Sequence, residues 1–306
     1  MKVSIATFNA ENLFARFKFK SNVDAATVSA EGWDTNQTKF DKLTGTDRKI
    51  TAAAIKGVQA DIVGLQEIEA LETLRKFNRQ FMGTVKYPKP VLIDSHDPRY
   101  IDVALMAKPG FEITRMVTHQ YEQSSPGNNI FSRDCLECWV KVGNKELPVF
   151  VNHFKSMMGG RAQTAPKRKR QSEKVRDILK DRFGANPGNK PWIVLGDLND
   201  YPEPDGSPAP SLAPLLGNAW CVNVIERLPA AERWTHYYKS ANQYKQLDYI
   251  LLSKSLADAN PGALPVIERR GLPKRATQYT GPRFAGVGQD EPKASDHCPM
   301  VIEMDF

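Results

Sequence analysis

The sequence predicts an α/β protein of the α+β type, built on mixed β-sheets with helices packed outside them. Three observations carry this expectation. Apolar, strand-like runs recur along all 306 residues. Helical patterns separate some of them. Between Ile101 and Val151, however, strands follow one another directly, which breaks the β-α-β alternation of a doubly wound parallel sheet. No internal repeat, linker or low-complexity tract divides the chain, so residues 1–306 read as one domain.

The elements follow in order. Lys2–Asn9 reads as a first strand; its apolar stretch is short and soon interrupted by Asn9, Glu11 and Asn12, unlike a signal peptide. Ser21–Asp41 is polar and punctuated by Gly and Asn, a long surface loop. Asp47 is placed to cap a helix carrying Ile50, Ala53, Ala54 and Gly57 on one face, ahead of a strand at Asp61–Gln66. Leu71, Leu74, Asn78 and Phe81 then recur at helical spacing. Strands are expected at Ile101–Ala107, Glu112–Val117, Glu137–Val142 and Leu147–Val151. Val175, Ile178, Leu179 and Phe183 mark a longer basic helix before the strand Trp192–Leu195. A strand at Leu247–Leu252, a second loop across Gly262–Glu291 and a strand at Met300–Met304 complete the chain.

Composition narrows the class. Hydrophobic content of 41% and charged content of 25% are ordinary for a soluble globular protein. No run of about 18 apolar residues suggests a membrane span, and a cytoplasmic monomer without an obligate protein partner is expected. The net charge of +7 favours anionic partners: nucleic acid, phosphorylated metabolites or acidic membranes. Four cysteines are too few for a disulfide scaffold. Cys135 and Cys138 form a C-x-x-C, but residues three apart in a strand point to opposite faces and no second pair completes a zinc site.

The stretch "PWIVLGDLNDYPEPDGSP" (191–208) raises the functional question, because an apolar strand ends in Asp197, Asn199 and Asp200. Clustered carboxylates repel one another unless a cation or a phosphate group gives them a purpose. Comparable polar groups end other strands: Asn9 in "ATFNAEN", Glu67 in "IVGLQEIE", His153 and Lys155 in "FVNHFKS", and Asp296–His297 in "ASDHCPM", while Asp248 in "QLDYILL" begins one. Each alone has an ordinary explanation as a helix first turn, a satisfied polar group or a turn residue.

Together, in order, these pieces resemble the motifs of the endonuclease/exonuclease/phosphatase superfamily, which includes deoxyribonuclease I. The resemblance spans Ser4 to Val301, and "GDLN", "LDYIL" and "SDHCP" are its most specific parts. It implies a four-layer sandwich: two mixed β-sheets face to face, flanked by helices, with the strand ends converging on one cleft. It further implies that Glu67 binds Mg²⁺ or Mn²⁺ with Asn9 and Asp296 nearby, a choice that suits hard oxygen ligands. Asp197 and Asn199 would orient the attacking water and bind phosphate. His297, paired with Asp248, would be the general base. His153 resembles the second histidine of the deoxyribonuclease I branch, a phosphate contact or acid, with Lys155 adding charge. Arg99 in "DPRYIDVALM" resembles a phosphate-facing arginine of bacterial members, with Asp102 as its alternative partner.

Departures from the family's branches bear on substrate. Gln66-Glu67-Ile68-Glu69 lacks the lysine of the Q-E-T-K element of abasic-site endonucleases. "YKQLDYI" stands where inositol polyphosphate phosphatases carry Trp-Cys-Asp-Arg, and no apolar hairpin or secretion signal supports a sphingomyelinase. "NHFKS" followed by glycines is similar to bacterial nucleases. The segment from Lys155 to Arg176 holds eight Lys or Arg, and Arg161, Lys167, Arg168, Lys169 and Arg170 are candidate contacts to a nucleic-acid backbone, against the alternative of a solvated helix face. The resulting expectation is a metal-dependent phosphodiesterase, favoured as a nuclease acting on DNA or RNA. Hydrolysis of small or lipid phosphoesters is the alternative, and a catalytically inactive nucleic-acid-binding relative the third reading.

Overall fold

The computed structural model describes residues 1–13, 18–19, 40–41, 45–204, 206–207 and 209–306. The strands of its two large sheets and its three long helices are numbered here in chain order. β1 (Lys2–Leu13) already shows the plan. Val3 and Ile5 enter one core, while Ala6, Phe8 and Ala10 enter another on the opposite face. A strand's side chains alternate between faces, so a strand buried on both sides reads as a nearly continuous apolar run.

The first sheet adds β2 (Ile62–Ile68), β3 (Val91–Leu92), β4 (Asp102–Ala107), β11 (Val266–Ile267) and β12 (Met300–Asp305). Its order is β11-β12-β1-β2-β4-β3, with β1 and β2 parallel and the other pairs antiparallel. The second contains β5 (Glu112–Val117), β6 (Cys135–Val142), β7 (Lys145–His153), β8 (Ile193–Asp197), β9 (Cys221–Asn223) and β10 (Asp248–Ser253). Its order is β9-β10-β8-β7-β6-β5, and only β7 and β8 run parallel. Both sheets are therefore mixed, as the sequence predicts.

Val3, Ile5, Leu105, Val151, Leu195 and Ile250 belong to the core that lies between the sheets. Outside the first sheet, α1 (Gly45–Val58) and α2 (Leu71–Phe81) pack Ile50, Ile55, Leu74 and Phe77 onto Phe8, Val63 and Leu65. Outside the second, α3 (Arg161–Phe183) packs Val175, Ile178 and Leu179 onto Phe150, Trp192 and Tyr249. The result is the expected four-layer sandwich. The sheets approach closely at Gly64, where an added Cβ would lie 2.3 Å from Leu195 Cδ1.

Several local expectations differ from what is observed. Asp47 lies inside the first turn of α1, and the buried face is Ile50, Thr51, Ala54, Ile55 and Val58, with Ala53 and Gly57 only half-buried. The segment 262–291 is largely irregular but not merely a surface loop, since Leu272, Ala276 and Val287 are buried in it. The loop expected at 21–41 lies outside the described residues except for Phe40–Asp41, which pairs with Lys18–Phe19. Cys135 and Cys138 fall into cores on opposite sides of β6 and are free thiols, so the C-x-x-C holds no joint site.

Glu137 is a buried acid that anchors β6 to its surroundings. Its carboxylate lies 3.0 Å from His119 Nε2 and accepts from Trp139 Nε1 at 2.7 Å and Arg182 Nη2 at 2.9 Å. Burial opposes its charge, but these hydrogen bonds win and hold its pKa down to about 2. Breaking one side of a buried ion pair commonly costs about 3–5 kcal/mol, so Glu137→Leu should lower the melting temperature markedly by stranding three donors. Because the folded pKa is depressed, the stability contributed by Glu137 is complete above the usual value of 4.5 and is lost as pH falls toward about 2. Acid titration of the wild type and Glu137→Gln, followed by thermal melting, checks this.

Candidate active site

Strand register brings the polar residues together. In the second sheet His153, Asp197 and Asp248 stand side by side on β7, β8 and β10, so Asp197 is flanked by a histidine and a carboxylate. In the first sheet Asn9 on β1 stands opposite Gln66 on β2, one residue before Glu67. The two sheets meet where Asn9 Nδ2 donates to Asp197 Oδ2 at 3.0 Å. The same nitrogen lies 3.4 Å from Glu67 Oε1.

Local backbone geometry aims these groups. Gly196 has φ 137° and sits against β7 so tightly that a Cβ would fall 1.9 Å from Asn152 O; only glycine fits before Asp197. Glu67 and Asn199 take left-handed φ values of 63° and 54°, turning the chain at the strand ends. Asn199 N donates to Asp197 Oδ1 at 2.9 Å, and its Nδ2 to Phe154 O at 3.2 Å. Ser295 Oγ donates to Asn9 O at 2.8 Å and accepts from His297 N at 3.0 Å, tying the terminal motif to β1.

His297 Nδ1 lies 2.9 Å from Asp248 Oδ2, and its Nε2 lies 3.8 Å from Asp197 Oδ2. Asp248 is buried, and its backbone N–H, like that of Leu247, donates to Thr235 Oγ1 at 3.1 Å. Burial alone would lower the His297 pKa, but the Asp248 and Asp197 carboxylates hold it well above 6.5. On the other side, His153 Nε2 is 3.5 Å from Asp197 Oδ2 and 4.0 Å from Glu67 Oε1. Burial pushes Asp197 up to about 7, with Asp248 adding to the effect and His297 opposing it.

The surroundings of His153 include a residue that the sequence reading missed. Arg133 Nη2 lies 3.1 Å from His153 Nε2, and Arg133 Nε 3.4 Å from Nδ1. A guanidinium can only donate, so this contact requires a neutral imidazole. Burial, followed by the charges of Arg133 and His297, lowers the His153 pKa well below 6.5. Arg133 is itself buried and lies 3.6 Å from Asp97 Oδ2, and Asp97 also holds Arg99 through two side-chain hydrogen bonds. Arg99 therefore pairs with Asp97 and not with Asp102, which accepts from Ser95.

The carboxylates of the cleft floor are crowded. Glu67 keeps 19% side-chain exposure and Asp296 34%, against 2% for Asp197 and none for Asp248, so the first two face the opening. Burial and the Asp296 charge raise the Glu67 pKa. Glu11, another residue missed in the sequence, is pushed up to about 8 by burial and Asp296 against the pull of Lys293; it also accepts from Asp296 N at 2.8 Å. Burial opposes the Asp296 charge, but the His236 hydrogen bond and the His297 and Lys293 charges hold its pKa well below the usual carboxylate range; partly open carboxylates crowded in this way fit a cation of hard character. Glu67 and Asp296 offer oxygens to it. Asn9 stands beside them, its Nδ2 donating to Asp197 Oδ2 and its Oδ1 accepting from Glu11 N at 3.1 Å. His236, also missed, stands 3.6 Å from Asp296 Oδ2.

The basic candidates divide. Arg168 is buried, and its guanidinium is spent on Asp200, Ser211, Thr164 Oγ1 and the carbonyls of Lys155 and Arg161. Arg161 is paired with Asp200 and Glu203 and lies over the Tyr201 ring. Neither is a free phosphate contact, contrary to the sequence expectation. Lys155 and Lys167 are half-buried near Arg133, and burial followed by that guanidinium lowers both their pKa values. Lys169 and Arg170 are exposed. At about 100° per residue, Arg170 shares the side of α3 that carries Lys167, and Lys169 does not.

Arg133 follows Ser132 in "FSRDC", where an Arg–Asp pair reads as surface charge, and His236 lies in "WTHYY", which shows no apolar period. Glu11 was legible in principle, standing two residues beyond Asn9.

Comparison with known proteins bears on the fold and the family. A search of curated protein sequences finds no significant match. Solved structures with the same fold include truncated TDP2 from Caenorhabditis elegans (TM-score 0.60, 15% identity, covering 100% of this chain and 98% of that one). The human nocturnin catalytic domain with bound sulfate gives a TM-score of 0.62 at 15% identity, covering 100% and 94%. D. rerio TDP2 complexed with a single-strand DNA product gives 0.57 at 16% identity, covering 100% and 99%. The profile of the Endonuclease/Exonuclease/phosphatase family matches residues 4–305, and the chain belongs to that family.

Proposed function

We propose that the protein is a Mg²⁺- or Mn²⁺-dependent phosphodiester hydrolase whose substrate is nucleic acid. The observation that carries the reading is the convergence of His153 and His297 on one oxygen of Asp197, at 3.5 and 3.8 Å, beside the open carboxylates of Glu67 and Asp296. A cation held by Glu67 and Asp296 would supply positive charge to a phosphoryl group and its leaving oxygen.

The remaining steps belong to the protein's own groups. Asp248 fixes the His297 tautomer, leaving Nε2 to face the cleft and take a proton from the attacking water. Asp197, held by Asn9 and by Asn199 N, orients that water. His153, kept neutral, and Arg133 contact phosphate oxygens, with Lys155 behind them. The TDP2 structure with a single-strand DNA product supports a polymeric substrate, as does the basic side of the cleft. The pairing of Arg161 with Asp200 and Glu203 and the burial of Arg168 favour the small-phosphoester alternative, since they shorten the basic track.

Three outcomes follow. Plasmid DNA, linear single strands, RNA and bis(p-nitrophenyl) phosphate, assayed with Mg²⁺, Mn²⁺ or chelator, should show hydrolysis only with metal, and Glu67→Gln should lower it by orders of magnitude. Full activity in chelator would overturn the mechanism. The pH–rate profile should rise from neutral toward the elevated His297 pKa, because the base must lose its proton. Asp248→Asn removes the charge that raises this pKa, so the rising limb should move to lower pH while kcat falls. His297→Ala should lower kcat by about 10²–10⁴-fold; a change confined to KM would make His297 a binding residue. Finally, each phosphate contact on duplex DNA contributes about 0.9 to the slope of log affinity against log salt, and somewhat less on single strands. Lys167→Gln with Arg170→Gln should flatten that slope by up to about 1.8. An unchanged slope would favour a small-phosphoester substrate.

A further inference from the structure

The hairpin of His236–Tyr238 and Gln243–Lys245 takes no part in the chemistry above, yet it is fastened to the site. Tyr237 N donates to Asp296 O at 2.9 Å, Cys298 N to Thr235 O at 2.6 Å, and His236 bridges to His297. Alternation sorts its side chains into two faces. Tyr237 and Tyr244, opposite one another in register, pack with Trp234 in a small core. His236 and Tyr238, with their partners Lys245 and Gln243, share the other face.

The rings of that face form a row leading out from the reacting centre. The His236 ring centre lies 4.5 Å from that of His297, and the Tyr238 ring lies 6.5 Å beyond it, inclined by only 21°. Tyr238 is 52% exposed. A single exposed tyrosine is unremarkable on a protein surface, but this one ends a row of planar groups that starts at the general base. Lys245, opposite His236 on the same face, brings a positive charge to the hairpin, with its Nζ 4.5 Å from the centre of the Tyr201 ring. Across Asp197, on the Arg133 side, the chain places a second exposed aromatic residue. Tyr100 follows Arg99, is 63% exposed and is held at φ 57°, a conformation rare for a bulky side chain and often a mark of functional sites.

We propose that Tyr238 is a nucleobase platform and that the substrate is therefore a single-stranded or locally unpaired nucleic acid. The proposal rests on the nucleic-acid reading above and names the form of polymer that this site takes. Every base offers a flat π-face, so stacking on an aromatic ring tolerates any sequence. In an intact duplex both faces of each base are covered by neighbours; in a single strand a base next to the scissile phosphate can turn out and lie on the tyrosine. Lys245 and the Arg133 side of the cleft would meet the backbone on either side.

The test compares wild type, Tyr238→Ala, Tyr238→Phe and Tyr238→Trp on a single-stranded oligonucleotide, on the same sequence as duplex, and on bis(p-nitrophenyl) phosphate. Base–aromatic stacking predicts that Tyr238→Ala lowers the ratio of kcat/KM on the single strand to that on the small diester by about 5- to 100-fold. Phe and Trp should restore the ratio. An oligonucleotide carrying 2-aminopurine should be quenched on binding to the wild type, and much less on binding to Tyr238→Ala. Equal ratios for all four proteins, or duplex cut as fast as single strand, would overturn the platform while leaving the nuclease reading intact. Hydrolysis of the small diester with no cleavage of any nucleic acid would overturn both.

Discussion

The hydrogen bond from Asn9 to Asp197 is the contact on which the site depends, because its donor belongs to one sheet and its acceptor to the other. The candidate residues are placed relative to that Asp197 oxygen: His153 of the second sheet at 3.5 Å, His297 just ahead of β12 of the first sheet at 3.8 Å, and Glu67 beside the donor. The geometry of the cleft is thus set by how the two sheets pack. That packing has little slack at Gly64, which meets Leu195 across the sheets, and within the second sheet Gly196 meets the backbone of Asn152. A methyl group at either glycine would push on the same seam that holds Asp197 to Asn9. Dense interiors transmit such strain instead of absorbing it.

Charge is distributed unevenly about this seam. Glu11, Glu67 and Asp296 crowd one side, where burial raises the first two against their will to ionise. Arg133, Lys155 and Lys167 occupy the other, and there burial followed by mutual repulsion lowers the two lysines. Such a division favours positive charge on the acidic side and negative charge toward the basic one. The two histidines are driven apart by the same division. Beside Arg133, His153 is held neutral; between Asp248 and Asp197, His297 is held toward its charged form. Environments that separate the pKa values of like groups assign them different tasks.

The fold was legible because its strands are buried on both faces and its helices on one, and both patterns survive in a single sequence. Val149, Phe150 and Val151 are apolar in a row because the two valines meet the core between the sheets and Phe150 meets the outer one. The strand-end residues were legible because β7, β8 and β10 place His153, Asp197 and Asp248 in one row, a consequence of register. Arg133 and His236 were not legible. Their importance comes from contacts with residues 20 and more than 60 positions away in the chain, His153 and His297, which neither local pattern nor charge reveals. The orientation of the Asn9 amide was equally hidden, since it is decided by Glu11 N on one side and two carboxylates on the other.

The basic stretch of α3 shows why net charge is a poor guide to where a polymer lies. Arg161 and Arg168 reach back to Asp200, the last acid of the run that ends β8, and Asp200 O accepts from Tyr249 Oη at 2.9 Å. Asp197 and Asp200, three residues apart, therefore face different tasks: the first enters the cleft and the second anchors α3. Asn199, between them, is fixed from both sides, by Asp197 through its backbone and by Phe154 through its side chain. The cluster of acids at the end of an apolar strand is thus only partly turned toward the cleft. Half of its charge is neutralised by arginines whose work is to hold the turn in place, and the turn in place is what aims Asp197 into the cleft.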